Sequence, residues 1–75
     1  MNDHLYLVER FLPDAPTIQA VIVEKSPWWA ERTFKDEFGV NPSQVEDLGY
    51  IVDHLDRGFH GFYDEFNFND LERDS

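Results

Sequence analysis

Apolar residues recur along this chain in two rhythms, and the rhythm changes at Ser26. The run Leu5-Tyr6-Leu7-Val8-Glu9-Arg10-Phe11-Leu12 is short, apolar and aromatic, and it stops at Pro13. Thr17-Ile18-Gln19-Ala20-Val21-Ile22-Val23-Glu24 is rich in β-branched side chains, which favour a pleated strand. Between them, Pro13-Asp14-Ala15-Pro16 is turn chemistry, because each proline fixes φ and withholds a backbone donor. The pattern predicts an antiparallel hairpin. Ile18, Ala20 and Ile22 share one face of the second strand, while Val21 and Val23 share the other with Thr17 and Gln19. Neither face is cleanly polar, so this strand is expected to be central or covered on both sides.

From Ser26 the period lengthens. Ser26 followed by Pro27 is a helix start, with Ser as cap and Pro where its missing N–H costs nothing. Ala30, Phe34 and Phe38 recur every four residues and predict one buried stripe. Gly39 is a natural left-handed stop. Trp28 and Trp29 flank the stripe on opposite sides. Either both close the edges of the core, or one lies on a contact surface, where Trp is enriched. Arg32 and Asp36, opposite the stripe, have the i, i+4 spacing of a solvated ion pair.

Asn41-Pro42-Ser43-Gln44 repeats the start signal, with Gln44 placed as in a capping box. Val45, Leu48, Ile51, Val52 and Leu55 then fit one apolar helix face, and Gly58 ends the run. This predicts a second helix from Pro42 to Gly58, with Gly49 marking a close approach by another backbone or ring. Its far side would show Glu46, Tyr50, Asp53 and Arg57, with Asp47 and His54 beside it. Beyond it, Phe66-Asn67-Phe68-Asn69 alternates with the period of a half-buried strand, and a third strand is expected near residues 62–68. The last six residues, 70–75, resemble a frayed acidic tail. The expected architecture is one α+β domain over 1–75, in the order β-β-α-α-β. Two helices would pack on one face of a small three-stranded antiparallel sheet.

Composition changes this picture in two ways. A chain of 75 residues with no cysteine has neither staple nor metal finger to hold it, and it buries only about 60% of its unfolded surface. Seven Phe, two Trp and three Tyr compensate, since each ring can bury on the order of 150–250 Å². A surplus ring at the surface would mark a partner site or a dimer seam. The second change is charge. The net charge is −10, and six Lys plus Arg are too few for the basic footprint that phosphate backbones require. Direct nucleic-acid binding is therefore not expected. The charge is also lopsided: residues 1–43 carry seven acids against four bases, and residues 44–75 nine acids against two. No run approaches a membrane span and no signal pattern opens the chain, so the expected setting is the cytoplasm.

Catalytic chemistry finds little support. Among the serines Ser26, Ser43 and Ser75, the first two are explained by helix starts, and none lies in a nucleophile elbow. Gly58 and Gly61 lack the lysine of a phosphate loop. Asp53, His54, Asp56 and His60 are close in sequence, but neighbours on a helix point about 100° apart and do not converge on a metal. An EF-hand loop starting at Asp64 fails because Phe66 and Phe68 stand where oxygen ligands are needed. Asp64 and Glu65 would face opposite sides of a strand, which weakens them as an acid/base pair. No enzyme, metal or cofactor is expected.

The carboxylates carry a binding expectation instead. Glu46, Asp47, Asp53 and Asp56, continued by Asp64, Glu65 and Asp70, would offer a basic groove a field like that of a nucleic acid. Tyr50, Tyr63 and one of the two Trp residues would supply desolvated anchors. In size, acidity, missing cysteine and α+β pattern, the chain resembles the small acidic inhibitors encoded by phages. These include many anti-CRISPR proteins, some of which imitate DNA. The resemblance rests on no motif. It implies a protein, monomeric or homodimeric, that occupies the basic, DNA- or PAM-reading surface of a CRISPR effector complex in the host cytosol. An acidic immunity protein or antitoxin facing a basic toxin has the same charge logic. A structural subunit whose spare rings form a homo-oligomer is the third alternative.

Overall fold

The computed structural model describes residues 2–69. Four strands form one antiparallel sheet: β1 (His4–Arg10), β2 (Ile18–Glu24), β3 (Gln44–Ile51) and β4 (Gly58–Phe62). Their order across the sheet is β3-β1-β2-β4. A single α-helix, α1 (Pro27–Phe38), and a 3₁₀ turn at Tyr63–Glu65 complete the described residues. The expected pair of helices on a three-stranded sheet is thus replaced by one helix on four strands. The acidic tail at 70–75 lies outside the described residues.

The hairpin forms as its pattern dictates. Leu5 pairs with Val23, Tyr6 with Ile22 and Val8 with Ala20. β2 lies between β1 and β4 and is covered on both sides, as its mixed faces require. One side holds Tyr6, Val8, Ala20 and Ile22 under Ala30 and Phe34 of α1, with Ile18, Phe38, Val45 and Phe59 at the margin. The other holds Leu5, Val21 and Val23 under Val52, flanked by Leu48, Tyr50, Leu55, Phe66 and Phe68.

Helix α1 keeps the bounds its signals set. The Ser26 side chain accepts from the Trp29 N–H at 3.4 Å, and Gly39 takes the left-handed conformation with φ 76°. Its N–H closes on the Lys35 carbonyl. Thr33 donates to the buried Glu24 carboxylate at 2.6 Å, tying the helix to the end of β2. Arg32 and Asp36 form no ion pair.

The second helix is a correction with a physical cause. β1 is paired by β2 along one edge only, and its buried residues would leave unpaired N–H and C=O groups along the other. β3 supplies them. Ser43, expected in a helix start, instead donates its N–H to the Glu9 carbonyl at 2.7 Å, and its hydroxyl accepts from the Phe11 N–H at 3.0 Å. Arg10 donates to the Asn41 carbonyl at 2.9 Å. The apolar set that fits one helix face is divided between two cores, with Val45 on the helix side and Leu48, Val52 and Leu55 on the other. Between the pairs Tyr6–Asp47 and His4–Ile51, β1 advances two residues while β3 advances four. Gly49 makes this bulge possible at φ 86°, a conformation costly for residues with a Cβ. Open space surrounds the position of its missing Cβ, so the glycine serves conformation and not a close approach.

The third expected strand is displaced toward the N-terminus. β4 ends at Phe62, and Phe66 and Phe68 lie against the sheet face opposite α1 without joining the sheet. Their alternation is real, but it sorts rings from Asn67 and Asn69 along an irregular segment.

Candidate functional site

With helix 42–57 gone, the carboxylate row dissolves. Glu46 and Asp47 are neighbours on a strand and point to opposite faces. Asp53 and Asp56 fall in the 52–57 crossing that carries the chain from β3 to β4. Asp64 and Glu65 belong to the 3₁₀ turn beyond β4. Asp70 lies outside the described residues. The structure therefore distributes the acids over the edge strand β3, the crossing and the turn after β4, and none of them lies on α1. All six described acids are exposed.

Their engagement differs. Asp53 accepts from the Asp3 N–H at 2.5 Å, so its carboxylate helps hold the crossing in place. Asp3 is the residue that sequence reasoning missed. Its carbonyl receives the Val52 N–H at 2.8 Å, and its buried carboxylate receives the Arg57 Nε at 3.1 Å from both oxygens. That contact raises the already high pKa of the Arg57 guanidinium. Nothing local in the sequence marks Asp3, because its partners are about fifty residues away. The Asp47 carboxylate meets His4 Nδ1 at 2.9 Å and accepts from the Gly49 N–H at 2.8 Å. Partial burial pushes its pKa up, but His4 and the Gly49 N–H outweigh this and hold it below the ordinary value. Burial, and then the nearby Asp47 charge, push the Tyr6 phenol up. The Glu46, Asp56, Asp64 and Glu65 carboxylates make no hydrogen bond or ion pair among the described residues.

The two tyrosines do not stand between carboxylates. Tyr50 shares its strand face with Leu48 and Glu46, and its ring lies 5.9 Å from Phe68. Tyr63 meets Phe68 at 5.5 Å and keeps 39% of its surface exposed. Tyr50 belongs to the aromatic cover of the face opposite α1, and Tyr63 reaches that cover through Phe68.

The helix side differs in charge and in rings. Trp28 is 58% and Trp29 38% exposed, so neither closes the core completely. They meet edge to face at 4.8 Å. The Lys25 ammonium sits 5.0 Å from the Trp29 ring and the Arg32 guanidinium 5.8 Å from that of Trp28, within cation–π range. Arg32 thus serves Trp28 rather than Asp36. A groove of about 300 Å³ runs beside Trp28 toward Asn41, lined also by Glu31, Arg32, Lys35 and Asp36. Over residues 25–38 three bases match three acids, whereas residues 44–69 carry six acids against Arg57 alone. The molecule has a balanced helix layer and an anionic remainder.

Among the described residues no group of three His, Asp or Glu side chains is arranged to hold a metal. His60 instead bonds the Asp56 carbonyl through Nε2 at 2.6 Å. No helix among the described residues is long and apolar enough to cross a membrane. Comparison with protein-family models, curated proteins and solved structures finds no match, so any functional argument stands on these side chains alone.

Proposed function

We propose that this chain is a small acidic inhibitor that docks on a basic protein surface, of the kind that otherwise holds nucleic acid. One observation carries the reading: the Glu46, Asp56, Asp64 and Glu65 carboxylates are exposed and unengaged among the described residues, while half of the chain's Lys and Arg residues (Lys25, Arg32 and Lys35) lie on or beside α1. A charged body polarised in this way orients its own approach to a cationic surface and raises the encounter rate. Uncompensated carboxylates also spare the partner from breaking existing ion pairs. The docking acids stand toward opposite edges of the sheet, Glu46 on β3 and Asp64 and Glu65 beyond β4, with Asp56 in the crossing between them, and they do not form a straight row. They therefore offer a basic groove a field without the regular charge spacing of a duplex.

A CRISPR effector complex is the target class that the chain's size and acidity suggest. The test is a gel shift of such a complex on its DNA with increasing amounts of this protein. DNA release, weakened by salt and abolished by Glu46→Lys combined with Asp64→Lys and Glu65→Lys, is expected. Normal DNA binding under saturating protein, for every basic nucleic-acid-binding complex tried, overturns the proposal.

A further inference from the structure

The two outer edges of the sheet are guarded unequally. β3 ends the sheet on one side and carries the adjacent charges Glu46 and Asp47; both edge strands have a register irregularity, so it is the charge that distinguishes them. Charges are a usual means of keeping an edge strand from pairing with another chain. β4 ends the sheet on the other side. Its five residues, Gly58-Phe59-His60-Gly61-Phe62, include no Lys, Arg, Asp, Glu or Pro. Apart from its ladder with β2, no backbone hydrogen bond among the described residues occupies β4. Beside it lies an aromatic group that the helix leaves open: Phe38 meets Phe59 at 5.5 Å and Phe62 at 6.1 Å, and Phe62 is 43% exposed.

We infer that β4 is a self-association edge, along which a second copy of this chain pairs antiparallel to continue the sheet. The edge is complementary to itself in charge. Antiparallel pairing about His60 sets Gly58 of each copy opposite Phe62 of the other. It brings Arg57 of each beside the Tyr63–Glu65 turn of the other, placing a cation near Asp64 and Glu65 at both ends of a two-fold seam. Such an interface is isologous and closes at two copies, while the acids of β3 keep the other edge single. A one-residue irregularity between the Ala20–Phe62 and Ile22–Phe59 pairs shortens the regular ladder. The Phe38, Phe59 and Phe62 rings of the two copies then supply the apolar contact. Because each copy carries −10, mutual repulsion opposes the dimer; its screening outweighs the loss of the exposed Arg57 contacts, which are worth little, so salt strengthens the dimer.

Sedimentation velocity tests this on the whole chain, from micromolar to millimolar concentration at low and high salt. The expected result is a mass rising toward two copies with concentration, at lower concentration in high salt. Phe62→Lys, which puts a charge on an already exposed edge position, should return the chain to a monomer with an unchanged far-UV spectrum. Trp28→Ala, removing the most exposed ring on the helix side, should leave the dimer intact. A wild-type chain that stays monomeric at millimolar concentration in high salt overturns the inference. So does a dimer that survives Phe62→Lys or is lost with Trp28→Ala. Salt separates this from the inhibitor reading, since it strengthens self-association and weakens docking on a basic partner.

Discussion

The two faces of the sheet are closed by different kinds of structure. On one, α1 lays a regular stripe over Tyr6, Val8, Ala20 and Ile22, and both Ala30 and Phe34 are fully buried. The helix carries its own hydrogen bonds and its own caps. On the other, the cover is the 52–57 crossing and the segment after the 3₁₀ turn. Val52 is fully buried there, while Leu55, Phe66 and Phe68 are only partly so. These segments make few backbone hydrogen bonds and are held by ring contacts and by Asp3. A face closed by a helix gains stability from a local element, whereas a face closed by irregular chain depends on a few distant contacts. The second is expected to open first.

Removing one ring from each cover measures that difference. Phe34→Ala empties the centre of the helix-side core and should cost about 3–5 kcal/mol. For a domain this small that is most or all of its stability, and urea unfolding followed by circular dichroism will read it. Phe68→Ala removes a half-buried ring that touches Tyr50, Tyr63 and Phe66, and should cost about 1–2 kcal/mol. Equal costs would break the comparison and show that both faces are consolidated alike.

The smallest effect belongs to the edge. Asp47 holds a pKa below the ordinary value in the folded chain, so its contribution is complete at pH above the usual carboxylate range. It is lost as pH falls through the lower folded-state value. The two side chains are 34% and 44% exposed, which limits the contribution to about 0.5 kcal/mol or less. Asp47→Asn should therefore lower the urea midpoint slightly near neutrality and make no difference in strong acid. A larger loss near neutrality would show that the β3 edge depends on His4 more than its exposure suggests.

Elements with local punctuation were legible. Ser26-Pro27 and Gly39 bound α1, the β-branched run marks β2, and the prolines at 13 and 16 separate the strands of the hairpin. Residues 42–57 were not, because Val45, Leu48, Val52 and Leu55 satisfy a helical period as well as a split between two sheet faces. Only Gly49 and the adjoining Tyr50-Ile51-Val52 argued for extended chain, and a single glycine is a weak signal against a full apolar stripe. The candidate acids were identifiable by composition, but their arrangement was not, since it follows from the element that carries them.

Composition and short-range pattern alone determined the acidity, the hairpin with its doubly covered strand, and the bounds of the one helix. The tertiary structure decided that residues 44–51 extend the sheet, that the rings at 66 and 68 cover its second face, and that Asp3 anchors the crossing. The physical reason is the open edge of β1. Its buried backbone groups require partners, and that requirement outweighs a helical preference which no stretch of 42–57 can express in isolation.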